Sequence, residues 1–280
     1  MKYTRNDFLK MAGLGLTASL APVSVKNLVA QTPVKPKADR LKLGLASYTL
    51  HKFSLDETIN ILQRLELKEV SLKEMHLPMN ATPAQLQEMT DKVRKAGINL
   101  YGVGVIYMKS EQEIDRAFAY AKNAGVKMIV GVPNHELLPY TEKKIKEYDI
   151  RLAIHNHGPG DKVYPSPETV YEKIKNLDKR IGLCIDIGHT QRIGLDPIKD
   201  TLRFADRIYD VHIKDVTGNT EKDTPTEIGR GVIDIPGFLK ALLKIKYTGS
   251  VSMEYEKNAT DPVPGLAESV GYTRGVMQLI

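Results

Sequence analysis

Short apolar runs recur along the chain every roughly 25 to 40 residues, and segments of helical periodicity lie between them. The runs are Leu41–Tyr48, Glu69–Glu74, Ile98–Ile106, Lys127–Val132, Ile150–His155, Ile181–Ile187, Ile208–Lys214 and Ser250–Tyr255. Several are almost unbroken in aliphatic and β-branched residues, the composition of strands covered on both faces. The intervening segments carry helix start signals. Ser54 precedes Asp56-Glu57, Thr82-Pro83 precedes Ala84–Ala96, and Ser110-Glu111 precedes Gln112–Ala124. Ser166-Pro167 opens Glu168–Leu177, and Ile235-Pro236 opens Gly237–Ile245. Gly97 and Gly125 stand where a left-handed helix stop is wanted. Eight strand-then-helix units with no break in composition predict an α/β fold built as a single (β/α)8 barrel over residues 41–280. An open doubly wound sheet would place a glycine-rich phosphate turn after its first strand, and Ser47–Phe53 contains no glycine.

Residues 1–30 read as an address. A basic stretch, Met1–Lys10, precedes a mild apolar run, Met11–Val23, and a cleavage-compatible Ala30, the layout of a secretory signal peptide. Thr4–Lys10 resembles a twin-arginine export signal with Asn6 where the second arginine would be, which leaves the route open. The apolar run falls short of the roughly 20 residues a membrane span requires, so no stable span is expected. Residues 31–40, with Pro33 and Pro36, read as a linker to the barrel. The expectation is a periplasmic or otherwise exported bacterial protein whose leader is removed.

The formal charge is +6, from 40 basic and 34 acidic residues. Lys2, Arg5, Lys10 and Lys26 against Asp7 place +3 of it in the leader. The remainder is not clustered as a nucleic-acid groove would require, so no nucleic-acid partner is expected. The single cysteine, Cys184, excludes an internal disulfide framework and a cysteine-based zinc knuckle. The sequence leaves the oligomeric state open.

In a barrel of this kind the active site lies at the C-terminal ends of the strands. The second strand ends in Lys73-Glu74-Met75-His76, the fourth runs into Pro133-Asn134-His135, and the fifth ends in His155-Asn156-His157. The sixth ends in Asp186-Ile187-Gly188-His189, the seventh carries Asp210-Val211-His212-Ile213-Lys214, and the eighth Glu254-Tyr255-Glu256. Six of the seven histidines fall in this set. Alternation along a strand puts His155 with His157 on one face, Asp210 with His212 and Lys214, and Glu254 with Glu256. Imidazoles and carboxylates converging on one rim suit one divalent cation such as zinc, manganese or cobalt.

Three segments resemble the xylose isomerase-like TIM-barrel superfamily of sugar phosphate isomerases and epimerases, which also holds the family 2 AP endonucleases: Gly182–His189, Val211–Asp215 and Gly249–Glu256. Glu227–Asp234 resembles the family's glycine-bracketed loop after the seventh strand. The resemblance implies a metal held by Asp186, His212 and Glu254, with His155 where the family's epimerases carry a glutamate. Those epimerases use two glutamates as a proton-transfer pair, and only Glu254 stands in place here.

The implied activity is metal-dependent isomerisation or epimerisation of a sugar, by proton transfer next to a carbonyl through a metal-stabilised enediolate. A lyase or hydratase acting on keto-sugars or keto-glycosides with the same metal site, and a non-catalytic sugar-binding barrel, are the alternatives. Glu254 is the candidate base, with His157, Lys214 and Glu74 as further catalytic candidates. His189, His76, Asn134, Arg192 and Arg230 are candidates for substrate contact. Lys214 has a second reading as an ion-pair partner of Asp186 or Asp210, and Glu74 as a solvated strand end. Tyr48, Tyr107, Tyr164 and Tyr255 offer ring surface to a sugar. The absence of tryptophan argues against a long polysaccharide cleft.

Overall fold

The computed structural model describes residues 41–280, so the leader and linker expected over 1–40 lie outside the described residues. Eight parallel strands close into a barrel: β1 Lys42–Ala46, β2 Glu69–Leu72, β3 Asn99–Met108, β4 Met128–Pro133, β5 Arg151–His155, β6 Ile181–Asp186, β7 Ile208–Ile213 and β8 Ser250–Met253. Neighbours in sequence are neighbours in the sheet. Closure is made by β1 on β8, with Lys42 opposite Ser250 and Leu45 opposite Met253. Each strand lies inside, or within two residues of, an apolar run read from the sequence.

The helices form where their caps are. Ser54 accepts the Glu57 backbone N–H while Glu57 reaches back to the Ser54 N–H, starting α1, Leu55–Arg64. Thr82 and Gln85 repeat this at α2, Pro83–Lys95, and Ser110 caps α3, Glu111–Asn123. Gly97 and Gly125 follow α2 and α3 with φ of +77° and +68°, in the left-handed region where a side chain is strained. After β4 comes α4, Leu138–Tyr148, and after β5 comes α5, Pro167–Ile174, capped by Ser166. The β6–β7 crossover is split into two short helices, α6 Ile187–Arg192 and α7 Pro197–Arg203. Asp234 caps α8, Ile235–Lys244, and α9, Val263–Leu279, closes the chain. The helices bury their apolar faces on the barrel in one continuous core that includes Ile59, Leu86, Phe118, Ile145, Val170, Phe238 and Leu266.

Two irregularities shape the rim. The β3–β4 register shifts between Val103 and Ile106. Gly104 lies there with φ +137°, and a side chain on it would run into the Val130 carbonyl. The other is the excursion after β7, where Asp215–Val216 pairs antiparallel with Pro225–Thr226. Asp215 accepts backbone N–H groups from Gly229, Gly231 and Ile233, pinning the loop that follows. Among the described residues, no helix is long and apolar enough to cross a membrane.

Candidate metal centre

Four adjacent strands deliver four buried side chains to one point. His155 ends β5, Asp186 ends β6, His212 lies one residue before the end of β7, and Glu254 follows β8 directly. One ligand atom from each lies within 4.8 Å of all the others. His155 Nε2 is 3.0 Å from His212 Nδ1, 3.4 Å from Asp186 Oδ2 and 4.0 Å from Glu254 Oε2. His212 Nδ1 is 3.1 Å from Glu254 Oε2. A tetrahedral ion with bonds near 2.1 Å needs ligand atoms about 3.4 Å apart, so the spacing fits one ion. Asp186 Oδ2 is buried, and the groups that face it are His155 Nε2 at 3.4 Å and the Lys214 ammonium at 3.0 Å. Its partner Oδ1 accepts the His189 N–H at 2.7 Å and caps α6. The helix start therefore fixes which oxygen faces the ligands.

Lys214 lies behind the carboxylates. Its Nζ is 3.0 Å from Asp186 Oδ2, 2.7 Å from Glu254 Oε2 and 2.9 Å from Glu256 Oε2. Burial favours the neutral form of every group here, and the charges oppose it. For Asp186, burial is outweighed by His189 and Lys214, which hold its carboxyl below the usual range. For Glu254, burial is outweighed by His212 and Lys214, and its carboxyl is held well below that range. His212 is pushed up to about 9 against its own burial, chiefly by Glu254. For His155, burial outweighs the Asp186 carboxylate beside it and, with the neighbouring imidazoles, takes it well below the imidazole range. Burial also lowers His189, to about 4.

A cavity of about 200 Å³ opens above these residues, lined by Tyr48, Lys73, Val105, Tyr107, His155, His157, His189, Glu254 and Glu256. The His157 ring packs edge-on against His155, with centroids 4.4 Å apart. Its Nε2 is 2.8 Å from Tyr107 Oη, and its Nδ1 is 3.6 Å from Asp161 Oδ2. A larger hollow of about 650 Å³ lies at the opposite mouth, among Lys42, Glu69, Lys127, Asp149, Arg151 and Arg180. Asp149 there pairs with Lys127 and Arg180, and no ligand cluster forms among its lining residues. Chemistry belongs at the other end.

The structure therefore brings together His155, Asp186, His212 and Glu254, with His157 and His189 beside them and Lys214 beneath. Five candidates lie elsewhere. His76 is buried with its ring nitrogens on Ser47 Oγ and the Leu50 carbonyl, both at 3.0 Å, and it does not line the cavity. Glu74 is exposed in the turn after β2, matching its reading as a solvated strand end. Asn134 donates to Glu136, and Arg192 donates to the Glu221 carbonyl. Arg230 pairs with Glu268 on the exposed face of α9. Lys214 is engaged by three carboxylates and does not line the cavity, which removes it from direct contact with a substrate. Of the four tyrosines, Tyr48 and Tyr107 face the cavity, whereas Tyr164 donates to the Pro133 carbonyl and Tyr255 to Glu227. Lys73, Val105 and Glu256 are lining residues to which the sequence assigned no role. For Glu256 the signal was available, since alternation places it with Glu254.

The sequence profile described as "Xylose isomerase-like TIM barrel" matches residues 78–276. The rhizopine catabolism protein MocC of Rhizobium meliloti is 29% identical over 145 residues, 46% of this chain and 44% of MocC. The inosose dehydratase of Geobacillus kaustophilus (strain HTA426) is 26% identical over 151 residues, 48% of this chain and 47% of the dehydratase. The matched stretch thus spans about half the length of these curated relatives. Among solved structures, the IolI protein with a bound zinc atom superimposes with a TM-score of 0.69 at 17% identity, over 85% of this chain and 98% of that one.

Proposed function

Because this chain belongs to the xylose isomerase-like TIM-barrel family, we propose that it is a sugar isomerase or epimerase that moves a proton at the carbon next to a carbonyl. One observation carries the reading: the wall of the 200 Å³ cavity holds a carboxylate, two imidazoles and members of a four-ligand cluster together. The cavity is smaller than the roughly 300–1,000 Å³ typical of sites for drug-sized ligands, which restricts it to a small substrate.

His155, Asp186, His212 and Glu254 are the residues that would hold a divalent ion, and two nitrogens with two carboxylate oxygens suit zinc, manganese or cobalt. When bound, such an ion supplies Lewis-acid polarisation of the substrate carbonyl. The chain's own residues do the rest. Glu254, held ionised by His212 and Lys214, takes the proton from the adjacent carbon. His157, fixed between Tyr107 and Asp161, and His189, its ring centroid 5.9 Å from that of His157, hold the substrate hydroxyls. Tyr48 and Tyr107 supply ring surface for the sugar.

A second reading has a specific observation behind it. His155 stands where a second glutamate would complete a symmetric base pair, and the partial likeness to inosose dehydratase supports elimination of water from a keto-sugar at the same site. In that reaction Glu254 takes the proton from the C–H bond next to the carbonyl, the C–O bond of the neighbouring hydroxyl breaks, and one proton relayed through His157 or His189 lets that hydroxyl leave as water. Mass spectrometry of products formed in deuterium oxide, across a panel of unphosphorylated keto-sugars, distinguishes the two. An isomer carrying one deuterium supports isomerisation or epimerisation, and a product one water lighter supports the lyase. Zinc-, manganese- or cobalt-loaded protein that exchanges no proton in any sugar overturns both. We propose in addition that the mature protein is exported after loss of residues 1–30. Its intact mass from fractionated cells tests this, and a full-length cytosolic chain would overturn it.

A further inference from the structure

We infer that Asp210, one layer below the ligands, is a positioning residue that holds His212 in the tautomer able to ligate. The inference rests on the reading of the four side chains above as a metal site. His212 points Nδ1 at His155 and Glu254, and its other nitrogen, Nε2, points down into the barrel. Nε2 is fully buried and makes no hydrogen bond, and the carboxylate it faces is Asp210, with Oδ2 3.8 Å away.

A neutral imidazole has one proton. If Nδ1 is to offer its lone pair to a cation, the proton must be on Nε2. An anion under Nε2 favours that arrangement and disfavours the reverse. Asp210 is otherwise hard to explain, because a carboxylate fully buried in a barrel interior is costly and packing alone would choose an aliphatic residue.

Asp210 is itself held from two other strands, with a third behind one of its partners. Tyr101 Oη on β3 donates to its two oxygens at 3.1 and 3.2 Å and lies 2.6 Å from Ser252 Oγ on β8. Cys184 on β6 donates its S–H to Oδ2 at 3.7 Å and is the register partner of Asp210. Ser252 in turn is the register partner of His212. These contacts hold the Asp210 carboxylate beneath Nε2.

The test is a zinc titration of the full chain in competition with a chelating dye, with the cobalt absorption spectrum as a second readout. It is run on wild type, Asp210→Asn and Tyr101→Phe. The amide can present an N–H to Nε2 and so admits the other tautomer. Wild type should bind one equivalent, and Asp210→Asn should bind about 10- to 100-fold more weakly with a shifted cobalt spectrum. Its metal-free circular dichroism should match wild type. Tyr101→Phe should weaken binding less, in the same direction. Unchanged affinity and spectrum in a folded Asp210→Asn overturn the inference while leaving the metal site standing. If Asp210→Asn does not fold, unchanged affinity in Tyr101→Phe overturns it. Wild type that binds no zinc or cobalt overturns the metal reading and this inference together.

Discussion

The Lys214 ammonium lies 2.7 Å from Glu254 Oε2, the same oxygen that faces His212 and His155. One buried amine and one prospective ligand are thereby bound to each other. Asp186 and Glu256 complete a ring of three carboxylates around that amine.

Lys214→Met should therefore cost the metal-free protein about 3–5 kcal/mol, the effect of removing one partner from a buried ionic group. The carboxylates lose their only buried lysine partner, and an added divalent ion should restore more stability to the variant than to wild type. Chemical denaturation in a chelator and in excess zinc checks both halves. A variant as stable as wild type in the chelator would show that the ammonium is not what holds the carboxylates.

Glu254→Gln preserves shape and removes the base. The rate of solvent-proton exchange into substrate should fall by about 10²- to 10⁴-fold while the protein stays folded. Undiminished exchange would transfer the role to His157 or His189.

Tyr107→Phe deletes the hydroxyl that steadies His157 Nε2 and leaves the ring on the cavity wall. A neutral hydrogen bond of about 0.5–1.5 kcal/mol corresponds to a two- to tenfold fall in kcat/KM. Zinc affinity should not change, because Tyr107 touches none of the four ligands.

His76 and Arg230 separate fold from function. His76→Ala removes two buried hydrogen bonds and leaves a hole, so stability should fall by about 2–4 kcal/mol with the kinetics of the folded fraction intact. Arg230→Ala should leave both within about twofold, as for other exposed pairs. A rise in KM in either variant would place that residue against the substrate.

Asp200 on α7 supplies a pH test far from the ligands. It is 9% exposed, one of its oxygens makes no hydrogen bond, and burial raises its carboxyl to about 6. The folded state thus binds a proton that the unfolded chain, titrating near 3.9, has already released. Stability from this residue is full below about pH 4 and is lost as pH rises through 6. Asp200→Asn should raise the melting temperature at pH 7.5 and have little effect at pH 4. An equal shift at both pH values would remove titration as the cause.

The strands and most helix starts were legible for local reasons, whereas the proposed ligand quartet came from the family resemblance. Apolar runs and caps act within a few residues, and alternation alone brings His155, His157, Asp210, His212, Glu254 and Glu256 to a common interior. The candidates that lie away from the cavity are held by distant partners. His76 follows a strand as His157 does, but its N–H closes a turn on the Lys73 carbonyl and its ring reaches Ser47, 29 positions back. Arg192 and Arg230 look available in sequence, and their partners, the Glu221 carbonyl and Glu268, lie 29 and 38 residues away. Val105 lines the cavity beside Gly104, where the β3–β4 register shifts, a long-range pairing that no local sequence pattern shows. The two short helices of the β6–β7 crossover carry too few turns to show a period.

Asp186 does two jobs with two oxygens, one capping α6 and one facing the ligands. Natural drift in barrels built this way would then be uneven. A descendant that abandons its chemistry still needs the aspartate to begin a helix, whereas the positions of His155 and Glu254 are released from that duty. Persistence of an aspartate at this point is thus a poor sign of surviving activity, and the first marks of decay should be sought two strands away, at the glutamate.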